Sequence, residues 1–125
     1  MSLSKKQSDF MYMVGELIRF TQPLEECYGV YVKVVEWNRT IETQKAYKNA
    51  DPPLTKTLKS NHIIGLAVDF AVIKDGKVCY ESEIMDQMGA FWESIGGVWG
   101  GNWKTFVDRP HFEYNDKKRK AYLQC

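Results

Sequence analysis

Apolar residues at Phe10, Met13, Val14, Leu17 and Ile18 recur at i, i+3, i+4, i+7 and i+8, the spacing of one face of an amphipathic helix. Ser8 and Asp9 offer a cap ahead of it, and Pro23 is the expected stop. The period then changes. YVKVVEW (31–37) is β-branched and aromatic with partial alternation, which predicts a strand, and Thr40 opens a short polar helix running to about Ala50, ended by Pro52 and Pro53. In AVDFAVI (67–73), Val68, Phe70 and Val72 make a bulky apolar face, whereas Ala67, Asp69 and Ala71 make a face of small residues bearing one carboxylate. Lys74-Asp75-Gly76-Lys77 reads as a hairpin turn, so residues 77–81 are expected to return antiparallel. Ile84, Met85, Met88, Phe91, Trp92 and Ile95 fall at helical spacing, and Gly96-Gly97 closes that run. The remainder, VWGGNWKTFVDRPHFEY, reads as loop until a short strand around Pro110 to Tyr114. The elements sum to an α+β domain, a small antiparallel sheet with flanking helices.

Composition narrows the class. A chain of 125 residues suits a single domain spanning 1–125, and 44% hydrophobic with 14% aromatic residues is the make-up of a folded globular chain. Seventeen basic against sixteen acidic residues, a net +1, give no overall drive towards nucleic acid or an anionic membrane. Cys27, Cys79 and Cys125 are odd in number and widely spaced, which implies neither a disulfide framework nor a thiolate metal site. The start MSLSKKQSDF lacks the layout of a signal peptide and no apolar run approaches spanning length, so the expectation is a monomer made in a cytoplasm without stable membrane insertion. The basic stretch DKKRKAY (116–122) reads as a solvated terminal segment.

The chemistry concentrates around the two histidines. Histidine and carboxylate are ordinary zinc ligands, and a catalytic zinc takes three protein ligands so that a fourth position stays open. His62, Asp69 and His111 can supply that set, with Gly65 allowing a close turn between the first two. Asp108, three residues before His111, is spaced to stand beside the metal as a general base. Each residue alone has an ordinary structural explanation: Asp69 pairing with a lysine, Asp108 capping a turn or pairing with Arg109. Together they point elsewhere, because both histidines of the chain lie in the two segments that also carry a carboxylate among small residues and an Asp-x-x-His. Trp103 and Trp99, in the glycine-rich loop, are the aromatic residues expected to border such a site.

These segments carry a resemblance. SNHIIGLAVDF matches Ser-x-His-x-x-Gly-x-Ala-x-Asp, and WGGNWKTFVDRPHFEY resembles the Trp-Gly-Gly-x-Trp to Asp-x-Pro-His-Phe-Glu ending of zinc peptidases that cut peptidoglycan stem peptides. That family holds D-alanyl-D-alanine carboxypeptidases and phage L-alanyl-D-glutamate endopeptidases of the endolysin type, and shares its scaffold with the Hedgehog signalling domain. The similarity runs from about Val34 to Tyr114, within a motif-bearing part of about 31–114. It implies Zn2+ held by His62, Asp69 and His111, Asp108 as the acidic catalytic residue, Arg39 on the carbonyl oxygen or a substrate carboxylate, and Ser60 in a supporting or substrate hydrogen bond. The chain departs from the pattern at Glu36-Trp37-Asn38, where many relatives carry smaller residues, and at Asn102, where an acidic residue is common.

The resemblance implies metal-assisted hydrolysis of a stem peptide by an endolysin-type L-alanyl-D-glutamate endopeptidase that reaches the bacterial wall after release from the cytoplasm. A D-alanyl-D-alanine carboxypeptidase or dipeptidase, and a non-catalytic zinc-bearing binding domain, are the alternatives on the same scaffold. A ferrous facial triad would use the same ligand types, but the wide spacing of His62 and Asp69 and the poised Asp108 disfavour it.

Overall fold

The computed structural model describes residues 1–52 and 61–124. Their elements run α1 (Leu3–Tyr28), β1 (Tyr31–Glu36), α2 (Ile41–Asn49), β2 (Ala67–Lys74), β3 (Lys77–Val78), α3 (Glu83–Ser94), β4 (Gly97–Trp99), a 3-10 turn (Gly100–Asn102), β5 (His111–Tyr114) and α4 (Asp116–Leu123). The strands form one antiparallel sheet in the order β1-β2-β5-β4, with β3 also paired to β2. The architecture is the expected α+β one, a small sheet flanked by helices.

The alternation read in β2 sorts the sheet into two faces. Val68, Phe70 and Val72, joined by Phe112 and Tyr114 of β5, are buried in one cluster with Phe10, Met13, Val14 and Leu17 of α1 and Ile84, Met85, Met88 and Trp92 of α3. Each such side chain contributes about 1.5–3 kcal/mol on leaving water, so this face is what holds the domain together. Edge-to-face ring contacts tie its layers: Phe10 to Trp92 at 5.7 Å, Trp92 to Phe112 at 5.9 Å and Phe70 to Phe112 at 5.5 Å. The opposite face of β2, with Ala67, Asp69 and Ala71, is left for chemistry. At the hairpin, Asp75 (φ 52°) and Gly76 (φ 75°) both take positive φ, as a type I′ turn requires.

Five local expectations are corrected. Helix α1 starts at Leu3 behind Ser2, whose side chain accepts from the Lys5 amide, so Ser8 and Asp9 lie inside it. It also runs through Pro23 to a left-handed Gly29; Thr21 is buried and Phe20 and Leu24 pack on the core around it, which offsets the roughly 3 kcal/mol an internal proline costs. Strand β4 occupies a segment read as loop: Gly97 and Val98 lack an alternating apolar pattern, and pairing with β5 creates the strand. Trp99 belongs to the core at 5% exposure, stacked on Phe112 and packed against Gly89, where any Cβ would strike its ring.

The basic tail is the fifth. It is helix α4, capped by Asn115, and its Arg119 is buried. Arg119 donates to Asp9 of α1 through Nε at 2.8 Å and Nη2 at 3.0 Å and to the Ile95 carbonyl through Nη1 at 2.7 Å, while the Tyr114 hydroxyl donates to Asp9 at 2.9 Å. One carboxylate thereby joins α1, β5 and α4.

Arg119 beside it, and secondarily Tyr114, hold the Asp9 carboxyl below its ordinary value of 3.8 against the opposing effect of burial. A depressed folded pKa adds stability that is present above the unfolded value and lost as pH falls through the folded one. Asp9→Asn should therefore cost about 3 kcal/mol at pH 7, and its deficit against the parent chain should narrow only below about pH 4; urea unfolding at pH 7, 4 and 2.5 measures both.

Candidate metal centre

The pairing of β2 with β5 sets Asp69 directly opposite His111, and Ala67 opposite Glu113. Directly opposed side chains on one face of an antiparallel pair lie close together, so register alone brings this carboxylate and this imidazole side by side. Ala67 and Ala71 flank Asp69 and keep the face free of bulk, and the carbonyl of Pro110 accepts from the Phe70 amide at 2.9 Å, extending the pairing one step beyond β5.

His62 arrives from a turn at residues 61–65, closed by the Leu66 amide on the Asn61 carbonyl at 2.8 Å. Gly65 takes φ 68°, and a Cβ there would lie 3.0 Å from Asn38 Oδ1. Two bonds in opposite directions tie this turn to the end of β1: His62 Nδ1 to the Trp37 carbonyl at 3.1 Å, and the Arg39 amide to the His62 carbonyl at 3.1 Å. Gln7 of α1 holds the Ile64 carbonyl at 2.7 Å from the other side.

The three side chains then converge. His62 Nε2 lies 3.1 Å from Asp69 Oδ1 and 3.2 Å from His111 Nδ1, and His111 Nδ1 lies 3.4 Å from Asp69 Oδ1. Donors of a tetrahedral ion bound at about 2.0 Å stand about 3.3 Å from one another, so the triangle has the size of one face of such a coordination sphere. Their outer nitrogens are already committed. A carbonyl can only accept, so His62 carries its proton on Nδ1 towards Trp37; His111 Nε2 likewise donates to Glu113 Oε1 at 2.6 Å. With both imidazoles neutral, two lone pairs and a carboxylate oxygen face one point, and that point demands a positive charge.

The protonation equilibria express the same demand. Burial works against ionised Asp69, yet hydrogen bonds with His111 and His62 outweigh it and hold its carboxyl far below the usual range. His111 is likewise penalised by burial, but Asp69 and Glu113 push it up to about 9. His62 and His111 are 1% and 6% exposed, so the groups are screened from water and fit a dication well.

Asp108 is the third carboxyl group at the site, with Oδ2 4.0 Å from His111 Nδ1 and a carboxyl raised above its ordinary value by burial and, to a lesser degree, by the charge of Asp69. Its backbone is fixed by Asp108 N–H to the Gly100 carbonyl at 3.0 Å and His111 N–H to the Asp108 carbonyl at 3.1 Å. Gly100 must be glycine here, since a Cβ would run into the Asp108 carbonyl and come within 3.1 Å of His111 Cβ. Arg109 turns away from Asp108, to Asp86 at 2.9 Å and the Ser82 carbonyl at 3.2 Å, with its guanidinium 5.3 Å from the Trp99 ring. Trp103 stands against the site, its ring 5.1 Å from that of His111. Arg39 Nη2 lies 3.8 Å from Asp69 Oδ2, the oxygen turned away from the triangle. Ser60 lies outside the described residues, as does most of the 51–59 segment.

Comparison with known proteins places this arrangement. Residues 54–114, which span the first ligand turn through β5, match the family described as D-alanyl-D-alanine carboxypeptidase. The chain is 37% identical over 95 residues to the L-alanyl-D-glutamate peptidase of Listeria phage A118, covering 74% of this chain and 33% of that protein. The family match covers just under half of the chain, and His62, Asp69, Asp108 and His111 all lie inside it. A second relative, the peptidoglycan L-alanyl-D-glutamate endopeptidase CwlK of Bacillus subtilis, is 40% identical over 65 residues, covering 44% of this chain and 39% of its own length. The chain thus spans between a third and two fifths of the length of the curated relatives it matches. Among solved structures, the Serratia marcescens L-Ala D-Glu endopeptidase ChiX aligns with a TM-score of 0.69 at 27% identity, covering 88% of this chain and 80% of ChiX.

Within the family frame, three supports escaped the sequence reading. Glu113 lies in the quoted His-Phe-Glu motif, and its position two residues from His111 on the same strand face could have marked it as the partner of that imidazole. The Trp37 carbonyl is backbone and leaves no trace in residue identity. Gln44 of α2, fully buried and accepting from Arg39 Nη1 at 2.7 Å, looked like part of a polar surface helix. Glu113→Ala should weaken divalent-cation binding about 10- to 100-fold by leaving the outer nitrogen of His111 unpartnered, whereas His62→Ala should abolish it; calorimetric titration of the chelator-treated proteins reads both.

Proposed function

We propose that the chain is a zinc peptidase that hydrolyses a peptide bond within peptidoglycan stem peptides, acting at the bacterial wall on the L-alanyl-D-glutamate bond. The observation that carries this reading is the buried triangle of His62 Nε2, Asp69 Oδ1 and His111 Nδ1, with sides of 3.1 to 3.4 Å, beside a carboxylate not needed to complete it. Two imidazoles and one carboxylate are a borderline donor set that suits zinc, and three protein donors leave room for water or substrate. The choice of bond is supported by the names of the phage, Bacillus and Serratia relatives.

His62, Asp69 and His111 would hold the ion, and Glu113 and the Trp37 carbonyl would fix the tautomers they need. What zinc supplies when bound is Lewis acidity towards the scissile carbonyl and towards a water molecule. Asp108 takes the proton of the attacking water and returns it to the leaving amine. Its raised carboxyl pKa suits a group that must both gain and lose a proton in one turnover. Arg39, on the outer oxygen of Asp69, keeps that carboxylate turned with Oδ1 towards the centre. Trp103 walls the site on the His111 side and limits water around the reacting groups.

Cleavage of the bond that joins the terminal D-alanine to the stem, as in a carboxypeptidase, is the second reading, favoured by the description of the matched family. Digestion of defined muropeptides followed by mass spectrometry separates the two: release of a fragment beginning with glutamate is expected, and release of D-alanine alone would favour the carboxypeptidase. Asp108→Asn should keep zinc yet lose about 10²- to 10⁴-fold in kcat; a zinc-loaded variant of near-parental activity would place the base elsewhere.

A further inference from the structure

Arg39 is held on several sides by residues that the reaction itself does not use. Its Nε and Nη2 both contact Glu36 Oε1, its Nη1 donates to Gln44 Oε1 at 2.7 Å, and its guanidinium carbon sits 4.7 Å from the centre of the Tyr47 ring. The Tyr47 hydroxyl donates to the other oxygen of Glu36 at 3.0 Å, so both partners of the ion pair are fixed from α2. The Arg39 and Glu36 side chains are 9% and 20% exposed. A pair so shielded cancels charge more completely than a surface pair would.

The balance at the site makes this cancellation consequential. Asp69, Asp108, Glu113 and Glu36 bring four carboxylates to the region, and among the described residues Arg39 is the one lysine or arginine within 4.0 Å of any of them. Its charge is already shared between Glu36 and Asp69. A bound zinc would add two positive charges at the triangle, yet with Arg39 these total three against four carboxylates, so a substrate that carries an anion next to the scissile bond meets a net negative field.

A glutamyl residue on the leaving side raises this question directly. It has two carboxyl groups, only one of which continues the chain, and the one on Cα lies two bonds from the scissile nitrogen. That group can be a carboxylate or a carboxamide. We infer that Glu36 is a positioning residue that sets specificity: by pairing with Arg39 it makes the site select stem peptides whose glutamyl α-carboxyl is amidated over those in which it is a free carboxylate. The inference rests on the peptidase reading above and adds to it the charge of the group beside the cut.

The test compares kcat/KM on two synthetic stem peptides, L-alanyl-γ-D-glutamyl-L-lysine with a free α-carboxylate and the same peptide with an α-carboxamide, both closed at the L-lysine end as amides. The zinc-loaded chain should favour the carboxamide by about three- to tenfold at low salt, the range expected for one unit charge acting several ångströms away in a partly aqueous site. Glu36→Gln should lower that preference several-fold by improving the carboxylate substrate, whereas Glu36→Asp, which keeps the charge, should retain it. Zinc content and melting temperature identify any variant that has merely lost its fold, and the parental preference is measured without a variant. A parental chain that favours the carboxylate, or a Glu36→Gln loss that is equal on both peptides, would overturn the inference and leave the hydrolase reading standing. Cleavage of neither peptide nor of whole peptidoglycan would remove both.

Discussion

Asp69 and His111 face each other across β2 and β5, and the rest of the site is arranged around that pairing. A strand shifted by one residue turns each side chain to the opposite face, which would send Asp69 and His111 into the apolar layer and Val68 and Phe112 out of it. The burial of Val68, Phe70, Val72 and Phe112 against α1 and α3 therefore does two things at once. It stabilises the domain, and it locks the register that brings a carboxylate and an imidazole within 3.4 Å on the other face.

Around this pair the chain builds a convergence of acceptors. Trp37 and Glu113 take the outer protons of the two imidazoles, so their inner nitrogens point lone pairs at Asp69 Oδ1. Such an arrangement is unfavourable without a positive charge at its centre. Asp69 is shifted downward and His111 upward by the contacts that bring them together. Asp108 differs in kind: among the described residues no side chain comes closer to it than His111 Nδ1 at 4.0 Å in an ion pair, and burial raises it. Two carboxyl groups close together thus have pKa values pushed in opposite directions, the contrast that the proposed division between a ligand and a proton-transfer group calls for.

The loop carrying Asp108 and His111 owes its shape to contacts well outside the site. Trp99 donates to the Arg109 carbonyl at 2.6 Å, Arg109 reaches Asp86 at the start of α3, and Gly89 and Gly100 allow the close approaches that side chains would block. On the opposite flank, α1 supplies both the core stripe and Gln7, which pins the His62 turn. The helices therefore serve as more than a cover for the sheet; each end of the candidate ligand set is braced by one of them.

The amino-acid sequence by itself determined the elements whose periodicity is strong: the core of α1, the two-faced β2, the Asp-Gly hairpin and α3. It also determined which residue types could bind a metal, since histidines and carboxylates are sparse in the right segments and carry motif spacing. What it left to the tertiary structure was everything fixed by partners distant in the chain. β4 exists only because β5 lies beside it, α4 is anchored by Asp9 more than a hundred residues away, and α1 passes Pro23 because the core holds both sides of it. Glu36, Gln44 and Tyr47 acquire a role only once Arg39 is placed among them. The physical reason is common to all of these: side-chain pattern encodes what a segment can bury, whereas register, hydrogen-bond partner and net charge at a point are decided when separate segments meet.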